Sequence, residues 1–340
     1  MVLVTGGTGL VGSHLLLNLA MSNTEVRAIY RTPSKLDAVK KVFSYYVDNP
    51  TDYFNKIDWV QGDILDIPSL EKAFSAIDYV YHTAALISFE PNDFTALEKT
   101  NVEGTANIVN LCIDFKVKKL CYVSTIGAIG RSINGNKATE NNEWNSQHTN
   151  VYALTKQAAE MEIWRGSQEN LPVVIINPGV IFGPGFWETG SGRFFTTAQK
   201  GYAYYPPGGT GFIAIGDVIK IMRGLMASST KGERFIAIAK NKSYANILEK
   251  IGENMGRKPP HKKLAFWQLK IGVYMELLKH VLLGKKRTIT KNTIYSLKHP
   301  EEYNNSKIKE ALDFEFEPLE KEIKFCCEKF ILERQSLVYQ

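Results

Sequence analysis

The sequence is poor in the residues that build metal centres and disulfide frameworks. Its 340 residues include only four cysteines (Cys112, Cys121, Cys326 and Cys327) and six histidines. The cysteines lack zinc-ribbon spacing, and a chain of this length needs no disulfide scaffold. They are expected to be reduced, in a cytoplasmic setting. No HxxxH or HExxH pattern occurs, so no metal is expected. No charged stretch leads into an apolar one ahead of the first β-type run, so no signal peptide is expected. Long uncharged apolar runs are also missing. The nearest, 264–287 (LAFWQLKIGVYMELLKHVLLGKKR), carries Lys270, Glu276 and Lys279, which argues against a membrane span. Acidic residues are scarce in one place. The net charge is +6, yet between Arg257 and Lys291 ten lysines and arginines face a single acid, Glu276. The remainder is slightly acidic, so no nucleic-acid partner is expected.

What is present is an alternation of short apolar runs and helical patterns, in a chain that is 44% hydrophobic and 22% charged. Residues 2–5, 25–30, 57–61, 79–82, 120–124 and 173–177 read as strands. Residues 10–21, 69–76, 94–115 and 151–168 read as helices. Strands this apolar, separated by helices, predict an α/β fold with a doubly wound, Rossmann-type parallel sheet. After Pro178 prolines and glycines interrupt the pattern. The expected division is a dinucleotide-binding unit over 1–182, with 212–239 returning to its sheet, and a smaller substrate lobe from 183–211 and 240–340. Helices over 246–255 and 265–283 belong to that lobe. The basic apolar segment 264–287 is read either as a lobe helix packed on the core or as a lid. Such a lid would meet a membrane surface or an anionic amphiphile such as an acyl-CoA.

The first residues, MVLVTGGTGLVGSHL, place a glycine-punctuated turn between a strand and a helix. They match GxGxxG at Gly7, Gly9 and Gly12, and TGxxGxxG at Thr5, Gly6, Gly9 and Gly12. Such a turn brings backbone close to a ligand, and the helix opening at Leu10 and Val11 offers unpaired amides to a pyrophosphate. An acid usually follows at the end of the second strand to hold a ribose hydroxyl. Here that strand runs into Arg31, Thr32, Pro33, Ser34 and Lys35. Arg31 and Lys35 suit a 2′-phosphate instead, favouring NADP, with NAD as the alternative.

Tyr152 and Lys156 form YxxxK on one helical face. Tyr303 and Lys307 repeat that spacing. Only the first pair follows a strand whose end, Ser124 and Thr125, reaches the sheet's ligand-binding edge. A phenol is a poor proton shuttle at neutral pH. A neighbouring ammonium would lower its pKa, and Thr125 could bond the same substrate oxygen.

These stretches, with GDILD (62–66), HTAA (82–85), NVEGTANIV (101–109), VSTIGAIG (123–130), YALTK (152–156), NPGVIFGPG (177–185) and YNNSKIKEALDFEFEPLEKEI (303–323), resemble the extended short-chain dehydrogenase/reductase family over nearly the whole chain. The resemblance implies a catalytic set of Thr125, Tyr152 and Lys156, and a cofactor groove that Ser124 joins. Asp63 and Ile64 would border the adenine, and Asp63 reads equally well as a turn-former. Ala84 and Ala85 would line the groove, Asn101 would lie near it, and Pro178 to Val180 would flank the nicotinamide. Two departures steer the reading within the family. Ile126 and Gly127 stand where dehydratases carry Asp-Glu, and GGTGFIAI lacks the arginine with which epimerases hold a sugar diphosphate. The branch resembling dihydroflavonol reductases, cinnamoyl-CoA reductases and hydroxysteroid dehydrogenases is therefore favoured, with a small-molecule carbonyl as substrate. A nucleotide-sugar epimerase is the alternative enzyme, and a non-catalytic NADP-sensing regulator the alternative from another class. Loops 86–94, 131–149 and 186–195 are expected to shape the substrate pocket. Helices 94–115 and 151–168 resemble the family's dimer helices and imply a homodimer.

Overall fold

Six apolar runs of four to six residues, with a seventh strand from later in the chain, build the central sheet of the computed structural model. The structure describes residues 1–132, 135–283, 287 and 290–338. The first half runs β1 (Val2–Thr5), α1 (Leu10–Met21), β2 (Val26–Tyr30), α2 (Leu36–Phe43), α3 (Pro50–Phe54), β3 (Ile57–Gln61), α4 (Ile67–Phe74) and β4 (Tyr79–His82). It continues with α5 (Phe94–Glu98), α6 (Gly104–Asp114), β5 (Lys119–Val123), α7 (Val151–Gln168), β6 (Val173–Pro178) and β7 (Val180–Phe182). The second half runs α8 (Arg193–Gln199), β8 (Tyr204–Tyr205), β9 (Gly209–Ala214), α9 (Ile215–Ala227), β10 (Glu233–Ala237), β11 (Lys240–Ser243) and α10 (Tyr244–Asn254). It ends with β12 (Lys262–Lys263), α11 (Phe266–Leu283), α12 (Lys291–Lys298), α13 (Ser306–Leu312) and α14 (Leu319–Val338).

The central strands are all parallel, in the order β10-β6-β5-β4-β1-β2-β3. The chain winds outward from β1 to β3, then returns to lay β4 against the other side of β1. Ligands bind in the crevice that such a reversal opens at the strands' carboxyl ends. Alternate side chains feed two cores. Val4, Val26, Tyr81, Cys121 and Val174 pack with α1 and α9 on one face. Leu3, Val80, Leu120, Tyr122 and Val173 pack with α4, α6 and α7 on the other. The four cysteines are free and buried.

Two expectations need correction. Residues 94–115 are not one regular helix: Lys99–Glu103 form a wider, π-helical turn between α5 and α6. The turn draws Asn101 inward, where its side chain bonds Leu86 and Thr155. The strand near residue 212 does not return to the central sheet. β9 pairs with β7 and β11 in a separate three-stranded sheet, while α9 and β10 do rejoin the main body. Gly179 and Gly211 allow this crossing, since a Cβ at Gly179 would lie 2.3 Å from the Gly211 carbonyl oxygen. Phe182, Phe194, Phe195, Phe212 and Trp187 then cement the second sheet.

His14 on α1 is buried and donates through Nδ1 to the Leu10 carbonyl (2.7 Å), while Nε2 has no partner among the described residues. Burial lowers its pKa to about 4. The unfolded chain takes up this proton below about pH 6.5 and the fold does not, so the imidazole costs stability as pH falls from 6.5 toward 4. A His14→Leu variant is expected to gain on the parent over that window, by up to about 3 kcal/mol near pH 4. Urea midpoints of the two proteins at stepped pH read this; a difference independent of pH would contradict it.

Candidate functional site

The site begins where β1 ends. Gly6 has φ +71°, and a Cβ there would meet the Ala84 amide nitrogen at 2.5 Å. Its carbonyl accepts from the Gly9 amide (3.0 Å) and is crossed so closely by α1 that a Cβ on Gly12 would lie 2.2 Å from it. α1 therefore opens directly at the crevice. Its cap residue, Gly9, supplies no side chain to the helix amides, and no acid stands in the first turn. A Cβ on Gly9 would meet only the Gly6 oxygen, at 3.4 Å, so the space before the helix is open. Uncapped amides facing open space fit a dinucleotide's pyrophosphate.

A cleft of about 480 Å³ extends from this turn. It brings together Gly6, Gly9, Leu10, Val11, Gly12, Ala85, Ser124, Thr125, Tyr152, Lys156, Pro178 and Val180, all marked from sequence. Ile87, Phe89, Val123, Ile181, Phe186 and Phe194 add apolar walls. Loops 86–94 and 186–195 thus contribute to the lining. Loop 131–149 contributes no lining residue among those described, and its residues 133–134 lie outside the described set. A second cavity, of about 380 Å³, lies between Phe89 and Val151 on one side and Val273, Tyr274 and Leu277 of α11 on the other.

The remaining marked residues lie elsewhere. Thr5 and Asn101 are buried behind the cleft rather than on it. Thr105 donates its single hydroxyl proton to the Asn101 carbonyl (2.6 Å), so it accepts from His82 Nε2–H (2.9 Å). His82 Nδ1 then accepts from the Thr5 hydroxyl (2.6 Å). This places a neutral imidazole under the turn, and burial lowers its pKa to about 3. Ile64 packs against Gly104, and Ala84 supports Gly6 through its backbone. Arg31, Lys35 and Asp63 stand outside the cleft, at the carboxyl ends of β2 and β3. Arg31 is exposed and pairs with Asp63 (3.4 Å). Asp63 also accepts from the Leu65 amide (3.0 Å), so it does form a turn. The second YxxxK pair serves structure: Tyr303 is largely buried and its amide donates to Asn241, while Lys307 pairs with Glu233 (2.6 Å). Among the described residues no group of three or more His, Cys, Asp or Glu could hold a metal ion.

The electrostatics differ from the sequence expectation. Burial pushes the Tyr152 phenol up, and Lys156 does not offset it. The Phe89 ring stands edge-on to Tyr152, 5.8 Å between centroids. Lys156, fully buried, donates to the Val123 carbonyl (2.8 Å) and lies 4.1 Å from the Tyr122 ring centre. Burial lowers its pKa to about 7, against an opposing pull from Glu160. Sequence reasoning missed Glu160. It sits one turn beyond Lys156, accepts from Asn177 Nδ2 (2.5 Å) and pairs with Arg234 (3.3 Å). Asn177 also donates to the Thr125 carbonyl (3.0 Å), and Arg234 to the Glu140 carbonyl (3.0 Å). The available signal was an acid at i+4 from Lys156 on an otherwise apolar helix face.

The model of the NAD dependent epimerase/dehydratase family matches residues 2–235. The chain belongs to that family. Membership makes it an enzyme of NAD(P)-dependent oxidoreductase type. A Synechocystis protein named "Putative dihydroflavonol 4-reductase" is 29% identical over 279 residues, 78% of this chain and 75% of its own. Cinnamoyl-CoA reductase 1 of Oryza sativa subsp. japonica is 24% identical over 279 residues, 77% of this chain and 78% of its own. Among solved structures, UDP-glucose 4-epimerase of Thermotoga maritima, with UDP-glucose, shares the fold with a TM-score of 0.73 at 20% identity over 99% of both chains. Within this epimerase/dehydratase fold, the glycines divide by what a Cβ would meet. Gly12→Ala is expected to lower both stability, by about 1–3 kcal/mol, and dinucleotide affinity. Gly9→Ala is expected to keep the parent Tm and lose about tenfold or more in affinity. Thermal melts with and without NADPH separate the two; parent-like NADPH affinity in Gly9→Ala would contradict the assignment.

Proposed function

We propose that this family member is an NADP(H)-dependent oxidoreductase that reduces a ketone or aldehyde, or oxidises the corresponding secondary alcohol. The observation that carries the reading is one cleft lined by the glycine turn, Thr125, Tyr152 and Lys156 together. A nicotinamide held by this turn and the Pro178–Val180 edge would supply or accept the hydride. Tyr152 passes its phenolic proton to the carbonyl oxygen as that oxygen gains charge. Burial in an apolar wall raises the phenol, so at neutral pH it is held protonated, ready to donate in the reducing direction. Thr125 Oγ accepts from the Gly127 amide (3.2 Å), which leaves its proton free to bond the same oxygen. Lys156, one helical turn on from Tyr152 and anchored by the Val123 carbonyl, lines the same cleft and can bond the cofactor's ribose.

The apolar walls favour an apolar or acyl-type carbonyl compound over a nucleotide sugar. β9 and the residues before it carry no arginine to meet a sugar diphosphate. The relatives named as reductases support the same choice, while the epimerase structures share the fold alone. An intact Thr125, Tyr152 and Lys156 set argues against a purely sensing role. Arg31, in trading Asp63 for a 2′-phosphate, supports NADP. We also place a homodimer contact on the outer faces of α6 and α7, by analogy with the family.

Two variants test the reading. With NADPH and a panel of apolar ketones and aldehydes, Tyr152→Phe is expected to cut kcat by about 10²–10⁴. Arg31→Ala is expected to raise KM for NADPH by about tenfold or more and leave KM for NADH nearly unchanged. Undiminished turnover in Tyr152→Phe would sink the proton-transfer role. A UDP-sugar raising the Tm, with no carbonyl turned over, would favour the epimerase.

A further inference from the structure

α11 is inside out. Its residues Trp267, Ile271, Tyr274, Met275, Leu278 and Leu282 are between 49% and 69% exposed. At about 100° per residue they fall in one arc about 100° wide. The opposite side carries Leu269, which is buried, and His280, which bonds Asn92 (2.9 Å). So the apolar stripe of this helix faces away from the protein. None of the six lines the main cleft, and only Tyr274 reaches the cavity beside it. Contiguous apolar surface of this kind marks an interaction face.

Charge selects the occupant. Lys270 and Lys279 are exposed, and their helical positions border the stripe on its two sides. β12 adds Lys262 and Lys263 immediately before the helix, both exposed. Across 257–291 ten basic residues accompany one acid, and that acid, Glu276, is half-buried and paired with Lys279. A second copy on this face would set lysines against lysines. A water-facing apolar stripe edged by lysines is complementary to a bilayer that is apolar inside and anionic at its surface. Among the described residues no helix is long and apolar enough to cross a membrane, so the contact is from the side.

We propose that α11 is an interfacial helix that lays this stripe into an anionic lipid bilayer, with the bordering lysines at the headgroups. The claim stands apart from the redox reading, since docking needs neither cofactor nor turnover. The residues that make this contact are the six apolar positions with Lys270, Lys279, Lys262 and Lys263. Residues 284–286, part of the basic segment, lie outside the described set.

Flotation of the full chain with vesicles tests it. Binding to phosphatidylcholine with about 30 mol% phosphatidylglycerol is expected to exceed binding to pure phosphatidylcholine by about tenfold or more, and to weaken with salt. The double variant Ile271→Glu/Leu278→Glu is expected to lose about tenfold or more of that binding. Both positions are exposed, and an unchanged melting curve confirms the fold. A second measurement needs no variant: brominated lipid should quench Trp267, the one exposed tryptophan among the described residues. Equal behaviour with and without anionic vesicles, or full binding by the double variant, would overturn the proposal. So would a parent dimer in solution that the double variant dissociates, since it would assign the stripe to a second copy.

Discussion

The backbone of residues 6, 12 and 84 converges more closely than any Cβ would permit. Added side-chain carbons would stand 2.5 Å from Ala84 N and 2.2 Å from the Gly6 oxygen. That convergence is the constraint on which the site rests. It lets α1 start at the crevice between β1 and β4, with no cap and no acid to quench its amides. The same crevice receives the ends of β5 and β6, so Thr125 and Pro178 share a cleft with the first turn. A side chain at either glycine would push the helix away from the strand and separate the opening of α1 from Tyr152.

Two buried polar threads hold the walls of this cleft. One runs from Asn101 through Thr105 and His82 to Thr5, joining the π-helical turn to the end of β1. The other runs from Thr125 through Asn177 and Glu160 to Arg234, whose guanidinium also reaches the Glu140 backbone. Each bond adds only about 0.5–1.5 kcal/mol net, yet an orphaned partner would cost about 1–3 kcal/mol. Such threads therefore specify geometry more than they add stability. A neutral His82 suits the first thread because each ring nitrogen has one role, one giving a proton and the other taking one.

Much of this was legible in the residues. β1, β3, β4, α1 and α7 fall where apolar period and glycine placed them, because each is a short element with a strong local pattern. The π-helical turn at Lys99–Glu103 was not legible, since the side chain it turns inward, Asn101, bonds Leu86 and Thr155, both distant in sequence. Nor was β9's departure to its own sheet, because a β-type run does not state its partner. The phenol's direction of shift was misjudged for a related reason. The spacing of Tyr152 and Lys156 shows that they share a face, but not that the ammonium is engaged by Val123 and the Tyr122 ring. Likewise, the helical period of 265–283 was clear while the side it turned to the protein was not.

The loop between β4 and α5 joins these features. Asn101 grips it at Leu86 from the π-helical turn. From the later part of the chain, the Arg287 guanidinium and amide bond the buried Glu90 carboxylate, and His280 bonds Asn92. Arg287 holds the Glu90 carboxyl well down, at about 2, so this clasp keeps its charge throughout the neutral range. Between the two grips lie Ile87 and Phe89, which wall the cleft, with Phe89 edge-on to Tyr152. The ring that shields the phenol is thus fixed jointly by the π-helical turn and by the segment that carries α11. A displacement of that helix has a short covalent and hydrogen-bonded path to the wall around Tyr152.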